Sequence, residues 1–132
     1  MKRWVIDTNV VVSGLLAPSG PPAQILRAVT DGKVRMVCDI RILAEYRDVL
    51  NRPHLRLDPS KIALFLAALH RQKLLSVTHR LRSGPDPDDL MFIEVALATP
   101  QKTIVTGNVR DYPHAIRHGV RILTPTQALP EL

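Results

Sequence analysis

Short apolar segments alternate along this chain with amphipathic segments of about ten residues, and this alternation is the strongest constraint on the fold. The apolar segments predict strands at 4–6, 34–38, 74–78, 103–106 and 121–123. The segments between them predict helices at 8–16, 23–30, 40–50, 59–70 and 89–98, a short helix or turn at 110–118, and a last helical turn at 125–129. Strands that are apolar along their whole length are typical of parallel sheets with helices on both faces. The pattern therefore predicts an α/β fold with a mainly parallel sheet of about five strands.

The length of 132 residues predicts a single domain over residues 1–132 with its own hydrophobic core. Hydrophobic residues make up 45% of the chain and the mean hydropathy is +0.03, which is typical of a soluble globular protein. The single cysteine, Cys38, excludes an internal disulfide framework and favours a reducing compartment. Asp7 and Asn9 interrupt the first apolar run, which disfavours a secretory signal peptide, and no run reaches the ~18–20 apolar residues of a membrane span. We therefore expect a cytoplasmic protein without a membrane-spanning segment.

The chain is basic, with 18 lysine and arginine residues against 12 acidic ones, a formal charge of +6 and a pI of about 10.1. This balance favours an anionic partner such as nucleic acid, through contacts with phosphates. A soluble protein that is merely basic is the alternative. The acidic residues cluster in the sequence while the basic ones are spread around them, and this distribution favours the nucleic-acid hypothesis.

A carboxylate stands at the end of the first predicted strand, where Asp7 follows Ile6. Leaving a buried carboxylate without a partner costs about 3–5 kcal/mol, so we expect another group to pair with Asp7. The simplest alternative is that Asp7 caps the helix that begins after it. Further acidic or amide side chains follow other predicted strands or lie in the helices after them: Glu45, Asp86, Asp88, Asp89, Asn108 and Asp111.

The carboxyl ends of parallel strands lie at one edge of the sheet, so these side chains are expected to converge there. Carboxylates that lie close together repel each other and raise each other's pKa values. Mg²⁺ and Mn²⁺ relieve that repulsion, because they prefer carboxylate and water oxygens as ligands. Metal held by carboxylates is the chemistry of phosphodiester cleavage. Taken singly, each acid also fits a simpler role, as a solvated helix residue or a first-turn acid favoured by the helix dipole.

Four segments of the chain are similar to those of one known family, in the order in which that family has them. They read IDTNV at 6–10, ILAEYRDVL at 42–50, DPDDLMFIEVA at 86–96 and VTGNVRDY at 105–112. On these segments the chain resembles the PIN domain family, and in detail the toxin components of VapBC-type toxin–antitoxin modules. The resemblance implies a three-layer α/β/α sandwich and a metal-dependent endoribonuclease that uses Mg²⁺ or Mn²⁺.

The resemblance also implies roles for individual residues. By matching positions, Asp7, Glu45 and Asp89 are the three core acids, both catalytic residues and metal ligands. The auxiliary positions are Asp86, Asn108, Asp111, Thr8 and Asn9. Many relatives have an aspartate where this chain has Asn108, which can hold a water but adds no charge, so Asp111 is the alternative fourth acid. Thr8 and Asn9 are expected to bond the acids or the attacking water.

Arginines near the same edge of the sheet are candidates for contacts with the RNA backbone, with solvated surface arginines as the alternative. They are Arg80, Arg82, Arg110 and Arg117.

The predicted helix at 23–30 and the segment 62–69 of the predicted helix at 59–70 have more hydrophobic surface than one small sheet covers. Six apolar residues of the helix at 59–70 suggest deep burial: Ile62, Leu64, Phe65, Leu66, Ala68 and Leu69. With the resemblance, this surface implies a homodimer and an antitoxin partner, and core packing is the alternative.

Other sites for metal or phosphate fit the sequence less well. The segment at 7–9 invites comparison with the Asp-x-Asp loop of phosphatases, but Asn9 replaces the second acid. His114 and His118 are spaced for zinc, but no third ligand accompanies them. The acidic loop at 86–89 lacks the interior glycine of an EF-hand.

Two other functions stay open beside the toxin hypothesis. A PIN-fold module that binds RNA or protein without cutting is disfavoured by the three retained core acids. A housekeeping RNA-processing nuclease would retain the same acids, so the sequence does not separate it from a toxin.

Overall fold

The structure, a computed structural model, describes residues 1–72 and 87–132, and the side chains of residues 87–89 and 115 also lie outside the description. Its strands are β1 (Lys2–Ile6), β2 (Val34–Met36), β3 (Thr103–Val105) and β4 (Arg121–Leu123). Its helices are α1 (Thr8–Leu16), α2 (Pro21–Thr30), α3 (Ile40–Leu50), α4 (Pro59–His70), α5 (Pro87–Leu97), α6 (His114–Arg117) and α7 (Pro125–Ala128). Short 3₁₀ turns lie at Pro53–Leu55, Val109–Asp111 and Leu129–Glu131.

The four described strands form a parallel sheet in the order β2-β1-β3-β4. β2 pairs with one side of β1 and β3 with the other, so right-handed crossovers place α1 and α2 on one face of the sheet and α5 on the opposite face. In agreement, α2 packs against α1 and α7, while α5 packs against β1, β3 and α3. This arrangement confirms the predicted α/β fold with a mainly parallel sheet. The predicted strand at 74–78 lies outside the described residues.

The core lies on both sides of β1, whose Trp4, Val5 and Ile6 are fully buried. On the α5 side it includes Phe92 and Ile93, which are also buried. The apolar run at 4–6 in the carboxyl half of β1 has no polar position to present to water, which agrees with the central place of β1 in the sheet. No helix in the described parts of the chain is long and apolar enough to cross a membrane.

Helix α4 is less buried than its apolar composition suggests. Ile62 and Leu69 are buried, and Phe65 contacts the ring of Tyr46 edge-on at 5.9 Å between centroids. These three apolar positions are spaced i, i+3 and i+7, so they lie on one face of the helix. Leu64 faces outward and is 72% exposed. The prediction of deep burial was therefore wrong for Leu64, because a helix that packs through one face leaves its other apolar residues at the surface.

Candidate active site

Asp7 lies at the point of the sheet where successive strands are added on opposite sides of β1. It follows β1 directly, and its backbone N–H donates to the carbonyl of Val105, at the end of β3, at 2.9 Å. The strands β1 and β3 are neighbours in the sheet, but β2 comes between them in the sequence and lies on the other side of β1. A crevice therefore forms at the carboxyl ends of β1 and β3. The side chain of Asp7 is buried there, at 7% exposure.

Three neutral donors hold the carboxylate of Asp7. Its Oδ1 accepts a hydrogen bond from the backbone N–H of Thr8 at 2.8 Å. Its Oδ2 accepts from the hydroxyls of Thr106 and Tyr112, both at 2.9 Å. Asp7 therefore caps α1, as the simpler hypothesis requires, and also receives hydroxyl donors from the segment after β3.

Burial raises the pKa of Asp7 above its ordinary value of 3.8. The hydrogen bonds from Thr106, Tyr112 and Thr8 lower the pKa, and the nearby negative charge of Asp111 raises it further. Burial outweighs the three donors, so the charged form is under-stabilised. A cation beside Asp7 would remove that deficit.

Glu45 lies across a cavity from Asp7, in the second turn of α3. Its Oε2 accepts a short hydrogen bond from the hydroxyl of Thr8. The next residue, Tyr46, is fully buried and donates its hydroxyl hydrogen to the carbonyl of Ile6. Two consecutive residues of α3 thus bond the residues on either side of Asp7. Asp7 and Glu45 line one cavity of about 430 Å³.

Asn9 joins the start of α1 to the loop after β3. Its Oδ1 accepts from the backbone N–H of Gly107 at 2.7 Å, and its Nδ2 donates to the Thr106 hydroxyl at 3.3 Å. A side chain on Gly107 would place its Cβ 3.0 Å from that Asn9 oxygen, which is too close without a shift. Both ends of the Asn9 amide therefore fix the loop that supplies Thr106, while Thr8 bonds one of the acids.

Asn108 and Asp111 lie together at the end of this loop. The Asn108 side-chain amide donates to Oδ1 of Asp111 at 2.9 Å, and its backbone N–H donates to the Thr106 hydroxyl at 3.0 Å. Of the two, Asp111 brings a negative charge that acts on Asp7. The 3₁₀ turn Val109–Asp111 also brings Tyr112, the donor to Asp7, back to the site.

The third predicted acid, Asp89, lies in the first turn of α5, a helix that packs against β1 and β3. Its side chain, together with Asp86, Arg80 and Arg82, lies outside the described residues. Among the described side chains, no group of three or more acidic, histidine or cysteine residues could hold a metal ion. Asp7 and Glu45 are thus the two predicted core acids whose side chains the structure describes, and both line one cavity.

The two described arginine candidates differ in their surroundings. Arg110 is exposed in the turn Val109–Asp111. Arg117 is partly buried, and its Nε donates to the carbonyl of Tyr112 at 2.7 Å. Arg117 thus supports the backbone of a residue that bonds Asp7.

Sequence reasoning missed an ion-pair cluster that joins α3 to α5. Arg41, at the start of α3, contacts Glu94 of α5 through Nη1 at 2.5 Å and Asp39 through Nε at 2.8 Å. The side chain of Glu94 is only 3% exposed, and Asp39 also caps α3 through the N–H of Ile42. The cluster connects α3, which carries Glu45, to the helix that carries Asp89. Its signal in the sequence was a single glutamate within the apolar part of α5 that follows Asp89.

Cys38 lies at the same edge of the sheet, after β2, and its side chain is buried. Burial and the adjacent charge of Asp39 raise the pKa of its thiol to about 12. A cysteine nucleophile requires the thiolate, so Cys38 is a core residue and not a reactive one.

Comparison with known proteins assigns the chain to a family. No curated protein and no solved structure gave a significant match. The family model described as the PIN domain matches residues 3–110, which include most of β1, all of β2 and β3, and every residue that lines the cavity of Asp7 and Glu45. With most of its length matched, the chain belongs to the PIN domain family, whose members are commonly nucleases.

Proposed function

We propose that this protein is an endoribonuclease that hydrolyses RNA phosphodiester bonds with Mg²⁺ or Mn²⁺ held by Asp7, Glu45 and Asp89. The observation that carries the proposal is the shared cavity of Asp7 and Glu45 at the carboxyl edge of the sheet. Burial there raises the pKa of Asp7, and its described hydrogen-bond donors are all neutral. A buried carboxylate with only neutral donors is stabilised when a cation binds beside it.

The donor chemistry fits a hard divalent cation. Carboxylate oxygens are preferred ligands of Mg²⁺ and Mn²⁺. A carboxylate has about four acceptor sites, and three are used on Asp7, so Oδ1 keeps one for a cation. When bound, the ion would supply charge that activates water and stabilises the phosphate during in-line displacement.

The residues around the acids orient them for this chemistry. Thr106 and Tyr112 fix Oδ2 of Asp7, and the Thr8 hydroxyl fixes Oε2 of Glu45. Asn9 and Gly107 hold the loop on which Thr106 lies. Side chains held in this way need no rearrangement when the substrate arrives. Such preorganisation of charged and polar groups is the main source of electrostatic catalysis.

The experiment is cleavage of short labelled RNA oligonucleotides by the purified protein in Mg²⁺, Mn²⁺ or EDTA. We expect internal cuts with either metal ion and none in EDTA. RNA that binds the protein but stays intact in both metal ions would contradict the proposal and favour a binding module.

The Tyr112 hydroxyl gives a pH-dependent test. Its hydrogen bond lowers the pKa of Asp7, so Tyr112→Phe should raise that pKa and move the acidic limb of the pH–rate profile to higher pH. The loss of one buried hydrogen bond should cost about 1 kcal/mol in the free energy of unfolding. Tyr46→Phe is the matched control, because its hydroxyl bonds a backbone carbonyl. An acidic limb that moves equally in both variants, or in neither, would count against the role of Tyr112.

We further propose that the nuclease is the toxin of a toxin–antitoxin module and acts in the cytoplasm, where the buried free thiol of Cys38 stays reduced. Support comes from a second cavity of about 430 Å³, lined mainly by apolar residues of α1, α2 and α4, beside the exposed Leu64. A surface of this kind suits an antitoxin or a second copy of the chain. Growth arrest on expression, relieved by a small DNA-binding protein from a neighbouring gene, is the expected result. Expression without growth arrest would favour a housekeeping nuclease.

A further inference from the structure

The cavity that holds Asp7 and Glu45 has a basic wall as well as an acidic one. The acids come from the end of β1 and from α3, and the basic side chains of Arg52 and His54 come from the turn after α3. Its volume of about 430 Å³ is within the usual range of ligand sites. Acidic and basic groups in one cavity fit a ligand that carries both a bound cation and a phosphate.

The local sequence explains why Arg52 lies on this wall. Glu45 and Val49 are one helical turn apart on α3 and both line the cavity, and Arg52 follows two residues after this helix ends. Pro53 disfavours a helical conformation for the residue before it, and Arg52 is extended, with φ −69° and ψ 123°. The helix therefore ends, and the 3₁₀ turn Pro53–Leu55 brings His54 back toward the cavity.

Arg52 is held only weakly in the structure. Its Nη2 lies 2.9 Å from Oδ2 of Asp48, one helical turn earlier, and these side chains are 51% and 69% exposed. Exposed ion pairs of this kind contribute little to stability. A phosphate offers the guanidinium a two-pronged, charge-assisted contact, which is stronger than the pair with Asp48.

We propose that Arg52, with His54 beside it, binds the phosphate backbone of the RNA strand in this cavity. The inference rests on the proposed ribonuclease function and names where the substrate lies: across the cavity, between the acids and the turn Pro53–Leu55. A phosphate contact positions the strand without reading its bases. Arg52 is thus a substrate-binding residue that affects affinity more than the chemical step.

The test compares wild type with Arg52→Met, Arg52→Lys and Arg35→Met. Arg35 is exposed on β2 and lines neither cavity, so it controls for the loss of one positive charge. Binding of a short labelled single-stranded RNA is measured in EDTA by fluorescence anisotropy over a series of salt concentrations. The KM and kcat for cleavage are measured separately in Mn²⁺, and thermal melts verify that each variant is folded.

We expect Arg52→Met to raise Kd and KM by about 3–10-fold and to change kcat by less than about twofold. The slope of log affinity against log salt should fall by about 0.7, the value for one phosphate contact with a single strand. Arg52→Lys should retain the slope but lose part of the affinity, because an ammonium makes no two-pronged contact. Arg35→Met should match wild type.

The inference would be overturned if Arg52→Met had the Kd, KM and salt slope of the wild type. It would also be overturned if Arg35→Met lost as much RNA affinity as Arg52→Met. A change in kcat alone would also overturn it, because it would place Arg52 in the chemical step. If the wild type fails to cut RNA in Mg²⁺ or Mn²⁺, the proposed function fails instead. The binding series in EDTA still decides the role of Arg52 in that case.

Discussion

Asp7→Asn should lower the rate of RNA cleavage by about a thousandfold or more, which corresponds to about 4 kcal/mol of transition-state stabilisation. The substitution keeps the size and the capping oxygen of the side chain but removes its charge. Single-turnover cleavage in Mn²⁺ measures the effect, and circular dichroism verifies the fold. Asp31→Asn is the matched control, because Asp31 is exposed at the end of α2, outside both cavities. A fully active Asp7→Asn would remove Asp7 from the catalytic site.

The difference in the free energy of unfolding between wild type and Asp7→Asn should also depend on pH. Burial raises the pKa of Asp7 above 3.8, so the folded protein binds this proton more tightly than the unfolded chain. The stability from Asp7 is therefore fully present below about pH 3.8 and is lost as the pH rises through the raised pKa. Denaturant unfolding in EDTA should show the free energy of wild type falling relative to Asp7→Asn over that window. A difference that does not change with pH would contradict the burial of a charged Asp7.

Arg41→Met should destabilise the protein by about 2–3 kcal/mol. Removing one partner of a buried ion pair costs about 3–5 kcal/mol, and the 28% exposure of Arg41 reduces that cost. The substitution leaves the buried carboxylate of Glu94 without its contact to α3. Chemical denaturation of wild type and variant measures the difference.

The double variant Arg41→Met/Glu94→Gln provides the control. It removes the buried charge that Arg41→Met leaves behind, so it should be more stable than the single variant. Equal stability of wild type and Arg41→Met would show that the cluster contributes nothing to the packing of α3 on α5. A double variant less stable than Arg41→Met would show that the glutamate acts chiefly through another contact.

The sequence predicted helix boundaries best where a cap or a breaker marks them. Asp39 precedes α3, and Asn51 and Pro53 follow it, so both ends of that helix were found. The start of α2 was placed two residues late, because Pro21 and Pro22 were assigned to the preceding loop. They occupy the first turn of α2 instead, where the missing backbone N–H groups have no partner to lose.

Part of the candidate site also follows from the sequence. Asp7 and Thr106 directly follow two neighbouring parallel strands, and the carboxyl ends of such strands meet at one edge of the sheet. Contacts between distant segments leave no such periodic pattern. The hydroxyl of Tyr112 on Asp7 and the ion pair between Arg41 and Glu94 each join single polar residues far apart in the chain. Such pairs become visible only when the fold brings the segments together.

Calorimetric titration with Mn²⁺ tests whether Asp7 and Glu45, together with Asp89, hold a divalent cation. Wild type should bind a single Mn²⁺ per chain, and Asp7→Asn and Glu45→Gln should each weaken that binding by at least about tenfold, the loss of about 1.4 kcal/mol. Asp31→Asn should bind like wild type. Mn²⁺ binding that is unchanged in both Asp7→Asn and Glu45→Gln would show that these carboxylates do not hold the ion.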